Sequence, residues 1–171
     1  MEKNLTHIYE VLQKLIGLHR QLLEKVRQER EALVAVNIPL IQEITHSKES
    51  LIEMVRQEES KRLKYTGELA IAWKKPLREL TLPSIIIAIQ GQDSKTAEQL
   101  RSSYNALSFL IQRIDEQNQS NKRLIQESLK HVENMKKNVL GEAAPRSEVY
   151  TQQGQKTAGA SGASRLISKE V

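Results

Sequence analysis

Four histidines, several acidic pairs and one Gly-Gln-Lys-Thr stretch are the residues that could do chemistry in this 171-residue chain. His7, His19, His46 and His131 belong to no H-E-x-x-H arrangement, and with no cysteine there is neither a thiolate nucleophile nor a thiolate metal site. His19 lies on an apolar ladder, where a packed structural role is expected. Glu58-Glu59 and Asp115-Glu116 could supply acid–base pairs, but adjacent helical residues point in different directions, and we take both as solvated faces. Gly154-Gln155-Lys156-Thr157 lacks the earlier glycine and the preceding strand of a phosphate loop. The pattern predicts no enzyme, no cofactor and no metal.

The residues fall instead into long segments of helical period. Leu5, Ile8, Leu12, Leu15, His19, Leu22, Val26, Glu29 and Leu33 recur at alternating steps of three and four, the seam pattern of coiled-coil-like packing, in a first helix placed at 3–36. Tyr9, Ile16 and Leu23 widen that stripe toward more than one neighbour. Asn37 can cap a second helix, 38–74, with Pro39 in its first turn. That helix carries Leu40, Ile41, Ile44, Leu51, Ile52, Val55, Tyr65, Leu69 and Ala72. Lys48, Glu58 and Arg62 interrupt its seam and either snorkel to the rim or pair across it. Trp73-Lys74-Lys75-Pro76 ends or kinks it. Thr81-Leu82-Pro83 repeats the restart device and opens a short apolar piece, 82–90, read as a helix because an isolated strand has nothing to pair with.

A third long helix is placed at 94–140, with Asp93 or Ser94 as its cap. Its ladder reads Leu100, Tyr104, Leu107, Ile111, Ile114, Asn118, Asn121, Ile125, Ser128, Val132, Met135 and Val139. Two asparagines on one seam imply either a hydrogen-bonded layer or a face left open. At 1.5 Å per residue the first and third helices span roughly 50 and 70 Å, so the hairpin of the first two cannot cover the third throughout. The expected fold is all-α: an elongated antiparallel bundle of three long helices and one short one over residues 1–140, followed by a flexible tail, 141–171.

Composition agrees. Only 4% of residues are aromatic, so the interior must be built from Leu, Ile, Val and Ala. Net charge is +5 but dispersed; Lys130, His131, Lys136 and Lys137 form the densest basic group, which we take as a solvated face rather than a nucleic-acid site. Ile85-Ile86-Ile87-Ala88-Ile89 is far too short to span a bilayer, and no signal peptide or lipidation motif is seen, which predicts a cytoplasmic protein without membrane insertion. Four of the seven glycines lie from Gly141 onward, where Thr157 to Ser164 is nearly all small and polar. Val149-Tyr150 and Arg165-Leu166-Ile167 are apolar anchors within that tail.

Taken in order, Glu29-Arg30-Glu31-Ala32-Leu33, Glu43-Ile44-Thr45, Lys48-Glu49-Ser50-Leu51, Arg62, Asn118-Gln119-Ser120-Asn121, Leu124-Ile125, Leu129 and Tyr150-Thr151-Gln152-Gln153-Gly154 resemble the FlgN-type flagellar export chaperones. The chain departs from that pattern at Asn37, where an acidic cap is commoner, and in its longer tail beyond Gly154. The resemblance implies a helical cytosolic protein that binds the C-terminal region of hook-associated (hook–filament junction) proteins and keeps them unassembled. It implies a cargo face at Asn118, Asn121 and Leu129, with Leu124 and Ile125 beside them. It also implies that Tyr150 docks the loaded chaperone on the cytosolic domain of the type III export gate. A monomer or weak homo-oligomer is expected; a self-associating coiled-coil protein is the alternative, and nucleic-acid binding through Lys130–Lys137 ranks last.

Overall fold

The computed structural model describes residues 2–140, and every described element is helical: α1 (Glu2–Val34), α2 (Ile38–Trp73), a 3-10 turn (Leu77–Glu79), α3 (Leu82–Ile89) and α4 (Ser94–Leu140). The chain divides into two units, Met1–Gln126 and Glu127–Val171; the described part of the second is the last stretch of α4.

In the first unit, local chemistry sets the boundaries. α1 closes when the Asn37 N–H reaches back to the Ala32 carbonyl (2.9 Å) and the Val36 N–H to that of Leu33 (3.2 Å), with Val36 held at φ 52°. Asn37 then starts α2, its side-chain oxygen accepting from the Leu40 N–H at 3.2 Å while Pro39 fills a position whose N–H needs no partner. The hairpin turn is therefore three residues long. α2 ends on Lys74 at φ 53°, where the Lys75 N–H returns to Ala70 O at 3.0 Å and Pro76 bars continuation. Thr81 caps α3 through the Ser84 N–H, and Asp93 caps α4 through the Thr96 N–H at 3.0 Å. The Thr96 hydroxyl and N–H, with Lys95 nearby, hold the Asp93 carboxyl below the usual carboxylate range.

Val36 carries a cost that glycine would not. A β-branched side chain in the left-handed region crowds its own backbone, and Val36 is 74% exposed, so no burial compensates. We expect Val36→Gly to stabilise the chain by about 0.5–1 kcal/mol after the extra chain entropy of glycine is subtracted, read as a higher urea midpoint.

The hairpin is antiparallel: the Lys48–Glu29 ion pair lies toward the turn, and the stacked rings of His7 and Tyr65, centroids 4.7 Å apart, lie near the other end. α4 runs parallel to α1 and in step with it. Gln13 donates to Ser103 and Arg30 donates to Ser120, both at 2.8 Å and both across 90 positions of sequence. The core gathers Leu5, Ile8, Leu12 and Leu15 of α1, Leu69 and Ala70 of α2, Leu80, three isoleucines of α3 (Ile85, Ile86, Ile89), and Ala97 and Leu100 of α4. Each fully buried aliphatic side chain in it contributes about 1.5–3 kcal/mol. The short helix thus packs as the sequence suggests, closing one end of the bundle.

α4 sits rotated relative to its sequence ladder. Leu100, Ile114 and Asn121 are buried as that ladder has them, but the flanking column they share the interface with is Ser103 and Leu110, not Tyr104 and Ile111. Tyr104, Ile111 and Ile125 are 37%, 49% and 42% exposed. Ser103 explains the choice. It is small, its hydroxyl donates to Gln99 O at 2.8 Å and accepts from Gln13, and it lets α4 approach α1 without a bulky side chain between them.

Candidate functional site

The two seam asparagines part ways. Asn121 is buried, and its amide nitrogen donates to the carbonyl of Val26 (3.0 Å) and to Glu29 (3.1 Å), while Gln117 donates to its oxygen at 3.2 Å. Glu29 in turn accepts at both oxygens from Lys48, each at 2.9 Å. One polar layer therefore joins α1 through Glu29, α2 through Lys48 and α4 through Asn121. Lys48 and Glu29 keep only 19% and 15% of their side-chain surface exposed, so the charges face each other more than they face water. Lys48, an interruption of the α2 seam, pairs across the interface with Glu29, a ladder position occupied by a carboxylate. Gln117 joins this layer without a sequence signal, since a lone glutamine on a helix carries no pairing pattern of its own.

Asn118, by contrast, is exposed, as is Ile125; Leu124 is half-buried. Asn118, Tyr104, Ile111 and Ile125 recur every seven residues and form an outward column of α4. Tyr104 and Ile111 also line an open cleft of about 710 Å³ between α2 and α4, whose other side carries Leu63 and Arg62 and whose floor includes Leu15 and His19. The Arg62 guanidinium is held by Glu59 in a two-bond pair (2.8 and 2.6 Å), which raises its already high pKa. In the second unit, Leu129, Val132, Met135 and Val139 are exposed to between 52% and 81%. Tyr150 lies outside the described residues.

The candidate chemistry groups do not assemble. His7 stacks on Tyr65, His19 Nδ1 sits 2.7 Å from the Leu15 carbonyl, and His46 faces Glu49 at 3.3 Å on an exposed turn of helix. Glu58 pairs with Lys61 and Glu59 with Arg62 within α2. Among the described residues no cluster could hold a metal ion, and no helix is long and apolar enough to cross a membrane.

Apolar side chains left in solvent along the last helix are the kind of surface that marks an interaction site. The sequence model described as FlgN protein matches residues 1–158, and the chain belongs to the FlgN family, chaperones of flagellum assembly and type III export. No curated protein and no solved structure matches it.

Proposed function

We propose that this chain works in the cytoplasm as a chaperone for hook-associated proteins, holding their C-terminal segments unassembled and delivering them to the cytosolic domain of the type III export gate. Family membership supports the general role. The observation that supports capture of a helical segment is the apolar surface of α4 left in solvent, including Ile125 at 42% and Leu129 at 58% exposed. In this reading Asn118, Ile125 and Leu129 touch cargo, Leu124 borders the contact, and Asn121 acts from beneath by holding α4 on the hairpin. Tyr150 is the residue for gate docking, which separates capture from delivery. Neither step requires a cofactor or covalent chemistry.

The test is copurification of the full chain with a hook-associated protein and, separately, with the gate's cytosolic domain. Leu129→Asp should weaken cargo capture at least about tenfold, because a carboxylate would be desolvated in an apolar contact. Tyr150→Ala should leave capture intact and reduce gate binding of the loaded complex. Loss of cargo capture in Tyr150→Ala would refute this division of labour. The same exposed residues also suit a self-associating coiled coil; a stable oligomer of the isolated chain in sedimentation would favour that second reading.

A further inference from the structure

Between α2 and α3, within the first unit, the chain makes a tight corner from Ile71 to Arg78. Leu69 and Ala70 are buried and Trp73 packs on the core, yet Ile71 in the same last turn of α2 is 80% exposed and Leu77 is 50% exposed. Lys74, Lys75 and Arg78 alternate with these aliphatics, all three exposed and none in an ion pair among the described residues. Glu68 and Glu79 bracket the corner, and no carboxylate lies inside it. Backbone bonds fix its shape. The Lys74 N–H reaches Ile71 O at 3.2 Å, the Lys75 N–H reaches Ala70 O at 3.0 Å, and the Glu79 N–H reaches Pro76 O at 3.0 Å. The cations are thus held beside the aliphatics rather than strung on a loose loop. Lys74 stands at φ 53°, a left-handed setting that glycine fits without cost, and the chain carries a cation there against that backbone preference.

We propose that this corner is a membrane-surface contact: it rests on an anionic lipid bilayer, with Ile71 and Leu77 at the start of the acyl chains and Lys74, Lys75 and Arg78 on lipid phosphates. The inference goes beyond the export reading and does not depend on it. Exposed aliphatics interleaved with cations suit the headgroup boundary, where negative charge and apolar depth lie within about 5–10 Å of each other. Trp73, half-buried within the corner, is of the residue type that collects at that boundary. A nucleic acid fits less well. Ile71 and Leu77 offer nothing to a phosphodiester, and Trp73 is committed to the core rather than free to stack on a base. An apolar protein patch would force three unpaired cations out of water. The contact needs no spanning segment, and among the described residues no helix is long and apolar enough to cross a membrane.

The test is flotation of the full chain with vesicles of phosphatidylcholine, alone or with about one-third phosphatidylglycerol. Trp73 is the chain's single tryptophan, so its fluorescence reports directly on the corner. Binding to the anionic vesicles should be at least about tenfold tighter than to the neutral ones, since each cation near the surface strengthens it about fivefold, and added salt should narrow the gap. Bound chain should show Trp73 emission shifted to the blue. Ile71→Ser, and separately Lys75→Glu with Arg78→Glu, change exposed side chains, so the thermal midpoint should hold while vesicle binding falls about tenfold in each. Lys136→Glu, in the second unit, should bind as the parent chain does. Equal affinity for the two vesicles, unmoved Trp73 emission on bound chain, or binding that survives both corner variants would overturn the proposal. Loss of binding in Lys136→Glu would move the contact to the end of α4 and overturn it too. So would binding to duplex DNA that matches the vesicles and is unchanged in Ile71→Ser, which would make the corner a general polyanion site. A chain that captures no hook-associated protein yet shows the expected vesicle profile keeps the proposal and sinks only the export reading.

Discussion

Leu100→Ala should lower the unfolding free energy by about 3–4 kcal/mol, the largest loss expected from any single truncation of α4. Leu100 is fully buried against residues from α1, α2 and α3 in the main core. Removing three carbons there forfeits their transfer free energy and opens a cavity among Ile, Leu and Val side chains that cannot all collapse into it. Urea unfolding of the purified chain measures the change as a lower midpoint at nearly constant slope. The comparison that gives it meaning is Ile111→Ala. Ile111 is half-exposed on the outward column, and we expect its truncation to cost about 1 kcal/mol or less. If the two costs came out equal, or reversed, α4 would be seated on its Tyr104–Ile111 face and the rotation described above would be wrong.

Glu29→Ala is the second large effect, at about 2–3 kcal/mol. It strips Lys48 of both its contacts and Asn121 of one, leaving a mostly buried ammonium without a counter-charge. Full burial would argue for more, but both partners keep some access to water, and solvent screening trims the figure. A double-mutant cycle with Lys48→Ala should return a coupling energy above about 1 kcal/mol, and a coupling near zero would show the layer to be incidental. Changing Glu29 and Lys48 together to leucine and methionine should be nearly neutral, since an apolar pair needs no desolvation. Asn121→Ala should cost about 1–2 kcal/mol by removing the buried amide's bonds to the Val26 carbonyl and Glu29 and the acceptor of Gln117, while Asn118→Ala should leave stability unchanged. This contrast bears on function. A loss of cargo binding in Asn121→Ala that tracks the loss of stability marks a positioning residue. A loss in Asn118→Ala at full stability marks a contact.

Much of the fold was legible because the signals are local. The three–four ladder of α1 puts Leu5, Ile8, Leu12 and Leu15 on one face, and those residues are core. Asn37 with Pro39, and Thr81 with Pro83, start helices because a side-chain oxygen satisfies an early N–H and proline gives up none that is needed. The isoleucine run of α3 became a helix because no second strand was there to pair with it.

The sequence by itself determined that the described chain is helical and which side chains cap its second and third helices at Asn37 and Thr81. It also marked the ladder positions of α4 that include Leu100, Ile114 and Asn121. It did not determine the rotation of α4 about its own axis. Leu100, Ile114 and Asn121 are flanked by two columns, and the more apolar one, Tyr104 with Ile111, is the natural choice from hydropathy alone. The tertiary structure chose Ser103 and Leu110, because close approach to α1 rewards a small side chain and because Gln13, Val26 and Glu29 wait there with hydrogen-bonding groups. Hydrophobic period is a property of one helix, while its angular setting is a property of the surface it meets. That setting buried one asparagine as a clamp and left the other, with Ile125, facing solvent.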